Sequence, residues 1–512
     1  MKHGFLLVLL LTALCNASSE TEKALDLTYE KAISMALGKN FQIQVQQFNP
    51  KIARAAQMTA SGQFDPLVSM SYTYSQSQAV QVATVGGGSD VFLNQTGGLV
   101  NSSVTGLTPW GLTYNFNASS TQAGNNQSTA DLYTTFGGLN ITQPLLRGFG
   151  TDVNLAQIRI ARADYSISEW QLRQQVIDVV TQTIVVYNDL HFAMGNLDVE
   201  RRSKALAEQL YKDNQQRRDI GVMADLDVLQ AKSDVANREE RVLVAERLVD
   251  DNQNFLKQLV TDEISNFLFT TVHIAPPPLM PPNYQIDEKR DLAAALELRP
   301  DFRQALLDLQ KRQINVVFRR NAALPQLDLL ASFGLNGIDT NLVNSVTNLQ
   351  HGNNYAWTAG GSFSFPIPNR VARGQLDQAK LESARALIDL KRLEQQIIVN
   401  VDNAAGQVHT TRKRIDATLA ARELAEETLE AAQKRLDDGK STTFEVLQFQ
   451  RDLATAQIAE IQAMTDYNKS LAQYARETGT TLEKAGITVQ PVNKNFTKDE
   501  HKKPDRNANV TQ

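Results

Sequence analysis

Apolar and polar positions along this chain follow two different periods. Between about residues 371 and 438, Leu390, Leu393, Ile397, Val401, Ala404, Val408, Thr411, Ile415 and Leu419 recur at steps of three and four. That spacing puts them on one face of a helix. At 1.5 Å of rise per residue the helix is roughly 100 Å long. A counterpart runs from about 151 to 219. Such a stripe predicts a seam against other helices, not a ligand site. Elsewhere the period drops to two. Val68, Met70, Tyr72 and Tyr74 alternate with Ser69, Ser71, Thr73 and Ser75, and Trp110, Leu112, Tyr114, Phe116 and Ala118 alternate with Gly111, Thr113, Asn115 and Asn117. These are strand patterns with one aromatic face and one polar face.

The two patterns occur twice, in the same order. A short helical segment (27–47, then 291–323) precedes a strand opened by Pro66 or Pro325; Pro144 or Pro366 then marks the exit into a long helix. Proline suits such junctions because it cannot donate inside a ladder and is tolerated at a helix start. Each long helix is broken by a glycine followed, after six residues, by Val-Leu-Gln: Gly221 with Val228, and Gly439 with Val446. An acid, Asp227 or Glu445, stands just before each valine. Glycine adopts the left-handed conformation cheaply, so both sites read as turns between antiparallel helices. The chain therefore reads as two tandem structural repeats. The first covers 20–270, with strands at about 67–143 and a helical hairpin at 151–268. A Pro-rich linker covers 271–290. The second repeat covers 291–487, with strands at about 327–365 and a hairpin at 370–485.

Residues 1–19 combine Lys2, an apolar run and small residues around Ala17, the layout of a secretory signal peptide. Cys15, the single cysteine, either leaves with that leader or serves as an acylated lipoprotein cysteine. Residues 488–512 are polar and aperiodic and read as a disordered tail. The formal net charge of −5, without a basic stripe, excludes nucleic acid as a partner. No later run is long enough for a transmembrane helix. His191, His273, His351, His409 and His501 stand far apart, without zinc spacing. Gly148-Phe149-Gly150 lacks the third glycine of a dinucleotide loop. No enzyme, metal or cofactor is expected.

Too few strands exist in each half to close a sheet, and no globular core is available to cover one. Apolar-out, polar-in strands behind a signal peptide fit an outer-membrane barrel. Lipid does not tolerate an open sheet edge, so closure requires several copies of the chain. A periplasmic or secreted coiled-coil structural protein without channel activity is the alternative; it would share the helices but not need the aromatic strands.

Residues 140–150 (NITQPLLRGFG) resemble the strand-to-helix junction of TolC-like outer-membrane efflux proteins, and the two glycine turns resemble that family's periplasmic hairpin tips. The resemblance implies an α+β membrane protein: a homotrimeric β-barrel in outer-membrane lipid, continued by a long periplasmic α-helical barrel. It implies a channel of a tripartite efflux or type I secretion system, working with a periplasmic adaptor (membrane fusion) protein and an inner-membrane pump. It places Asp227 and Glu445 at a periplasmic gate or constriction, and makes Gly221, Val222, Ala224, Gly439, Lys440 and Thr442 the adaptor-contact turns. Three copies of each acid around an axis would form a negative ring that attracts cations and raises the carboxylate pKa values. Both acids equally suit the first turn of a helix. Gln448 stands where some members carry a second acid, and the charged flanks Arg217, Arg218, Asp219, Asp437, Asp438 and Lys440 read as a solvated face. The halves also differ: Pro66 to Pro144 spans 78 residues, Pro325 to Pro366 only 41. Strands near 67–76, 110–119 and 131–143, with a fourth at about 99–105 required by parity, leave two readings. The excess is an extracellular hairpin on a twelve-stranded trimer barrel, the favoured reading, or it widens the barrel.

Overall fold

The computed structural model describes residues 25–81, 91–126, 128–267, 270–277, 286–351 and 354–487. The expected signal peptide, Cys15, the Gly86-Gly87-Gly88 run, much of the Pro-rich linker and the polar tail lie outside them. The strands, in chain order, are β1 (Leu25–Leu27), β2 (Leu67–Gln81), β3 (Val91–Leu107), β4 (Thr113–Asn125), β5 (Leu132–Pro144), β6 (Val272–Ile274), β7 (Gln326–Asp339) and β8 (Tyr355–Ser364). The helices begin with α1 (Tyr29–Lys39), α2 (Phe41–Gln46), α3 (Phe48–Ser61), α4 (Thr151–Asn154), α5 (Ala156–Asp219) and α6 (Asp225–Val260). They continue with α7 (Ile264–Phe267), α8 (Glu288–Leu298), α9 (Pro300–Ala322), α10 (Leu342–Gln350), α11 (Arg370–Asp437), α12 (Thr443–Glu477) and α13 (Thr481–Lys484). The chain divides into two units, one made of residues 50–168 and 304–391, the other of the remainder.

The first unit holds a six-stranded antiparallel sheet in the order β2-β3-β4-β5-β7-β8. Side chains of paired residues share a face and alternate along each strand, so the register sorts the whole sheet. One face carries Val68, Met70, Tyr72 and Tyr74 of β2, Val100 and Val104 of β3, and Tyr114 and Phe116 of β4. It continues with Leu139 and Ile141 of β5, Leu327 to Leu335 at odd positions of β7, and Tyr355, Trp357 and Phe363 of β8. Met70 is 80% exposed, Phe363 69% and Trp357 66%, an apolar surface that no other described residue covers. The other face is lined by Ser69, Ser71, Thr73, Asn101, Ser103, Asn115, Asn117, Asn140, Ser332, Thr358 and Ser362. Among the described residues Asp328 is its one charged side chain.

The expected fourth strand is present but far longer than 99–105, and it changes the reading of the insert. β3 pairs with β2 along 15 positions and with β4 along 13. The excess residues thus form two of the six strands of the sheet. The period-two pattern of Val100, Ser102 and Val104 against Asn101, Ser103 and Thr105 is what lets β3 lie in the sheet without turning a polar row onto the apolar face. The pattern at Trp110 and Leu112 proves to be turn; β4 starts at Thr113. Farther from the proline-bearing ends the apolar face becomes polar, with Gln76, Thr96, Ser120 and Thr135. There α10 lies on it. Ser345 is fully buried and its hydroxyl bonds Thr135 Oγ1 at 2.7 Å. Only glycine fits at Gly337 opposite, since a Cβ there would stand 1.9 Å from the Ser345 carbonyl oxygen.

The second unit is helical. α5 has 64 residues and α11 has 68, lengths of about 96 and 102 Å at helical rise. The stripe read from the sequence is its core: Ile397, Val401, Ala404, Ala405 and Val408 pack with Tyr467, Leu471 and Tyr474 of α12. A second core surrounds Ile177, Val180, Tyr187 and Leu190 of α5, closed by α1 and the parallel β1–β6 pair. Tyr187 donates to the Ala275 carbonyl at 2.6 Å, and burial pushes its phenol up to about 12. His191 is half-buried, which lowers its pKa and favours the neutral ring. Among the described residues no group of His, Cys, Asp and Glu could hold a metal ion, and no helix is long and apolar enough to cross a membrane.

Candidate functional site: the hairpin turns and the junctions

Both glycine turns close in the same way. The Gly221 N–H donates to the Arg218 carbonyl and Val222 to that of Arg217; Gly439 donates to Leu436 and Lys440 to Arg435. These paired bonds satisfy the last carbonyls of α5 and α11, and they need a left-handed residue at the glycine. Gly221 has φ +81° and Gly439 +72°. The sequence reading of two matching turns is visible here atom by atom.

The next helices start differently. Thr442 caps α12, its hydroxyl accepting from the Glu445 N–H at 3.2 Å, while Glu445 accepts from the Ser441 hydroxyl at 2.5 Å. The Ser441 hydroxyl first, then the Thr442 backbone N–H and the charge of Arg435, hold the Glu445 carboxyl below the usual carboxylate range. The crowding read from the sequence belongs to three copies around an axis; within the single chain the local donors set the direction. α6 has no such cap, because Ala224 lacks an oxygen; Asp225 and Asp227 occupy its first turn instead and complement the helix dipole. Replacing Thr442 by Ala should cost about 1 kcal/mol, and Ala224→Ser should recover about as much. Hydrogen exchange at the first turns of α12 and α6 measures both.

Around the first turn Ile220, Val222, Leu226 and Leu229 are all exposed; near the second, Phe444 is the large apolar residue left outside. The two turns therefore match in backbone and differ in surface. The charged flanks are not merely solvated: Arg217 pairs with Asp437 at 2.7 Å, joining one turn region to the other. Beneath it Asn214 Nδ2 donates to Thr443 Oγ1 at 3.3 Å in a buried contact.

Sequence reading missed the strongest tie. Asp234 and Arg238 on α6 are both buried; Arg238 Nε donates to Asp234 at 2.5 Å and its Nη1 to the Ser203 carbonyl and hydroxyl of α5. Arg451 of α12 reaches the same carboxylate at 3.2 Å. Three helices converge on one buried ion pair. The signal was readable: buried positions Val228, Ala231, Val242, Ala245 and Val249 continue through 234 and 238 at the same spacing, so two charges interrupt an apolar stripe.

The four prolines stand where the strands meet helices or loops: Pro66 just before β2, Pro144 as the last residue of β5, Pro325 just before β7, and Pro366 two residues after β8. Residues 140–150 explain themselves locally. Leu145 N–H donates to the Leu327 carbonyl, Arg147 N–H to that of Pro325, and Gly148 N–H to Asn321 Oδ1 at 2.7 Å. Asn154 Nδ2 closes the loop on the Gly148 and Gly150 carbonyls. The motif thus locks the β5 exit to the β7 start.

Comparison with known proteins agrees with this geometry. "Outer membrane efflux protein BepC" of Brucella suis biovar 1 (strain 1330) is 23% identical over 382 residues, 73% of this chain and 78% of the relative. Nodulation protein T of Rhizobium leguminosarum bv. trifolii is 26% identical over 176 residues, 34% of this chain and 36% of the relative. Among solved structures, the Campylobacter jejuni CmeC outer membrane channel superposes with a TM-score of 0.65 at 18% identity, covering 88% of this chain and 86% of that one. VceC of Vibrio cholerae gives 0.65 at 16% identity, covering 88% and 96%. These likenesses establish a TolC-like fold, and the profile of one family matches residues 110–261 and 292–480. The chain belongs to the outer membrane efflux protein family, whose members are outer-membrane channels reaching into the periplasm.

Proposed function

We propose that this protein is the outer-membrane channel of an export assembly, a homotrimer that passively conducts substrates handed over by an inner-membrane pump and a periplasmic adaptor protein, as in tripartite efflux or type I secretion. The observation that carries the reading is the six-stranded sheet, aromatic on one face and polar on the other, with both edges unpaired among the described residues. A wet apolar face of this size is unfavourable, and an open edge in lipid leaves backbone groups unsatisfied. Lipid against one face and water against the other, with edges joined between copies, removes both costs. The aromatic residues support it. Tyr74, Phe333 and Trp357 each stand seven residues in from the proline-bearing end of their strand, Phe363 one residue in, and Tyr114 one residue in from the start of β4 at the same end of the sheet. That is the disposition of two interfacial girdles.

In this reading the two tandem repeats each supply strands and one helical hairpin, and the turns at Gly221, Val222, Ala224, Gly439, Lys440 and Thr442 face the adaptor. Asp328 is the one charge on the sheet lining among the described residues, and Asp227 and Glu445 form the constriction in the turn region, so all three acids favour cations. In planar bilayers the protein should conduct with cation preference. Asp227→Ala with Glu445→Ala should lower that preference and raise conductance; unchanged values of both would remove the gate assignment, and absence of conductance from wild-type protein would remove the channel.

A further inference from the structure

The unpaired edges of the sheet define how copies join and how wide the pore is. We infer that β2 of each copy pairs antiparallel with β8 of the next, so that three copies of six strands close an eighteen-stranded barrel with β3 and β4 as part of its wall. This rests on the trimeric channel reading for the number of copies; the rest comes from the ladder.

Direction comes first. The six strands alternate up and down without exception, so β2 and β8 run opposite ways and a head-to-tail seam between copies is antiparallel like every internal pairing. Six is even, so closure leaves no mismatched pair. A single copy is too small, since known single-chain barrels need at least about eight strands.

Register follows. A line drawn across the strands from Leu67 passes Thr105, Asn115, Asn140 and Ser332 and reaches Thr358. Thr358 lies six residues in from Ser364, the proline-bearing end of β8. Matching the two free ends puts Leu67 of the next copy opposite Ser364, and hence Thr73 opposite Thr358. The line then climbs six residues per copy, about eighteen around the barrel, which sets the strand tilt at about 35°. Known barrels tilt by roughly 35–45°. A slip of one residue is forbidden because it would exchange the faces.

The side chains fit that register. On the apolar face Val68 meets Phe363, Met70 meets Gly361, Tyr72 meets Ala359 and Tyr74 meets Trp357. The bulkiest residues of β2 below the girdle thus face the smallest of β8, while the two girdle aromatics pair across the seam, an arrangement that stabilises antiparallel strands. On the polar face Ser69 meets Ser362 and Thr73 meets Thr358. With strands about 4.8 Å apart, eighteen at this tilt give a backbone-to-backbone diameter of about 34 Å, against about 23 Å for twelve.

The test uses the full chain purified as the trimer. Cysteine pairs Thr73→Cys with Thr358→Cys, and Tyr72→Cys with Ala359→Cys, cover both classes of antiparallel position. Within one copy these residues sit on opposite edges of the sheet and cannot meet. Oxidation of at least one pair should produce covalent dimers and trimers, while each single substitution, and Thr73→Cys with Ser364→Cys, stays monomeric on a denaturing gel. Cryo-electron microscopy of the unmodified trimer should count eighteen wall strands. A conducting trimer with twelve wall strands, with β3–β4 outside the wall, or with cross-links only in the shifted pair overturns this inference and leaves the channel standing. A soluble, non-conducting protein overturns both.

Discussion

Replacing Asp234 by alanine should destabilise the helical unit by about 3–5 kcal/mol. The carboxylate is 6% exposed and its partner Arg238 3%. Removing it leaves the Arg238 guanidinium inside the bundle with only Ser203 to receive it, and frees Arg451, which is 44% exposed and hydrates readily. The cost is therefore the desolvation of one unpaired buried cation, not the loss of two attractions. Two controls separate these. Asp234→Asn keeps an acceptor for Arg238 and should lose less. Asp234→Leu combined with Arg238→Met removes both buried charges and should unfold closer to the wild type than Asp234→Ala does, because apolar residues often replace a buried ion pair at little cost. Denaturant unfolding in detergent, followed by helical circular dichroism, reads all three. By contrast Arg217→Ala, which breaks an exposed pair with Asp437, should cost no more than about 1 kcal/mol.

That contrast bears on how the hairpins are held. The Arg217–Asp437 pair lies closest to the turns and is the weaker, while the Asp234 cluster is deeper along α6 and stronger. A unit built this way should open from the turns first, with the cluster as the point beyond which separation becomes expensive. Loosening Asp234 should then raise channel conductance as well as lower stability, whereas loosening Arg217 should affect conductance with little change in unfolding.

How much of this was written in the sequence depends on the kind of signal. The long helices and their glycine turns were legible because period and punctuation are local: the stripe from Leu390 to Leu419 and the left-handed Gly221 and Gly439 need no distant partner to be recognised. The aromatic strands were legible for the same reason. β3 was only half seen, since Val91 to Gly98 alternate poorly and its place in the sheet is fixed by 15 and 13 cross-strand pairs that no local pattern contains. For the turns, the matching acids were visible, but not that Thr442 caps one helix while Ala224 leaves the other uncapped. Nor was the buried cluster recognised, because charge on an apolar stripe reads as a break until two neighbouring helices supply Ser203 and Arg451.

Phe116 and Asn117 are neighbours on β4 and should respond oppositely to the same substitution. Phe116 is on the apolar face, 60% exposed, level with Val104 and Leu139; Asn117 is on the polar face between Ser103 and Gly138. An arginine facing the hydrocarbon costs about 2–4 kcal/mol near the bilayer midplane. A closed barrel repeats that cost once per copy, and assembly needs all copies inserted together. Phe116→Arg should therefore abolish heat-resistant oligomers in outer-membrane fractions. Asn117→Arg should assemble normally, because its side chain meets water. It should also offset the one negative charge per copy that Asp328 places on that face and move the reversal potential toward anions. If both variants assemble equally, neither face of the sheet meets lipid. If Phe116→Arg assembles and Asn117→Arg does not, the barrel is inside out relative to the faces assigned by the register. The pair decides the orientation of all six strands at once, since the ladder ties every side chain in the sheet to these two.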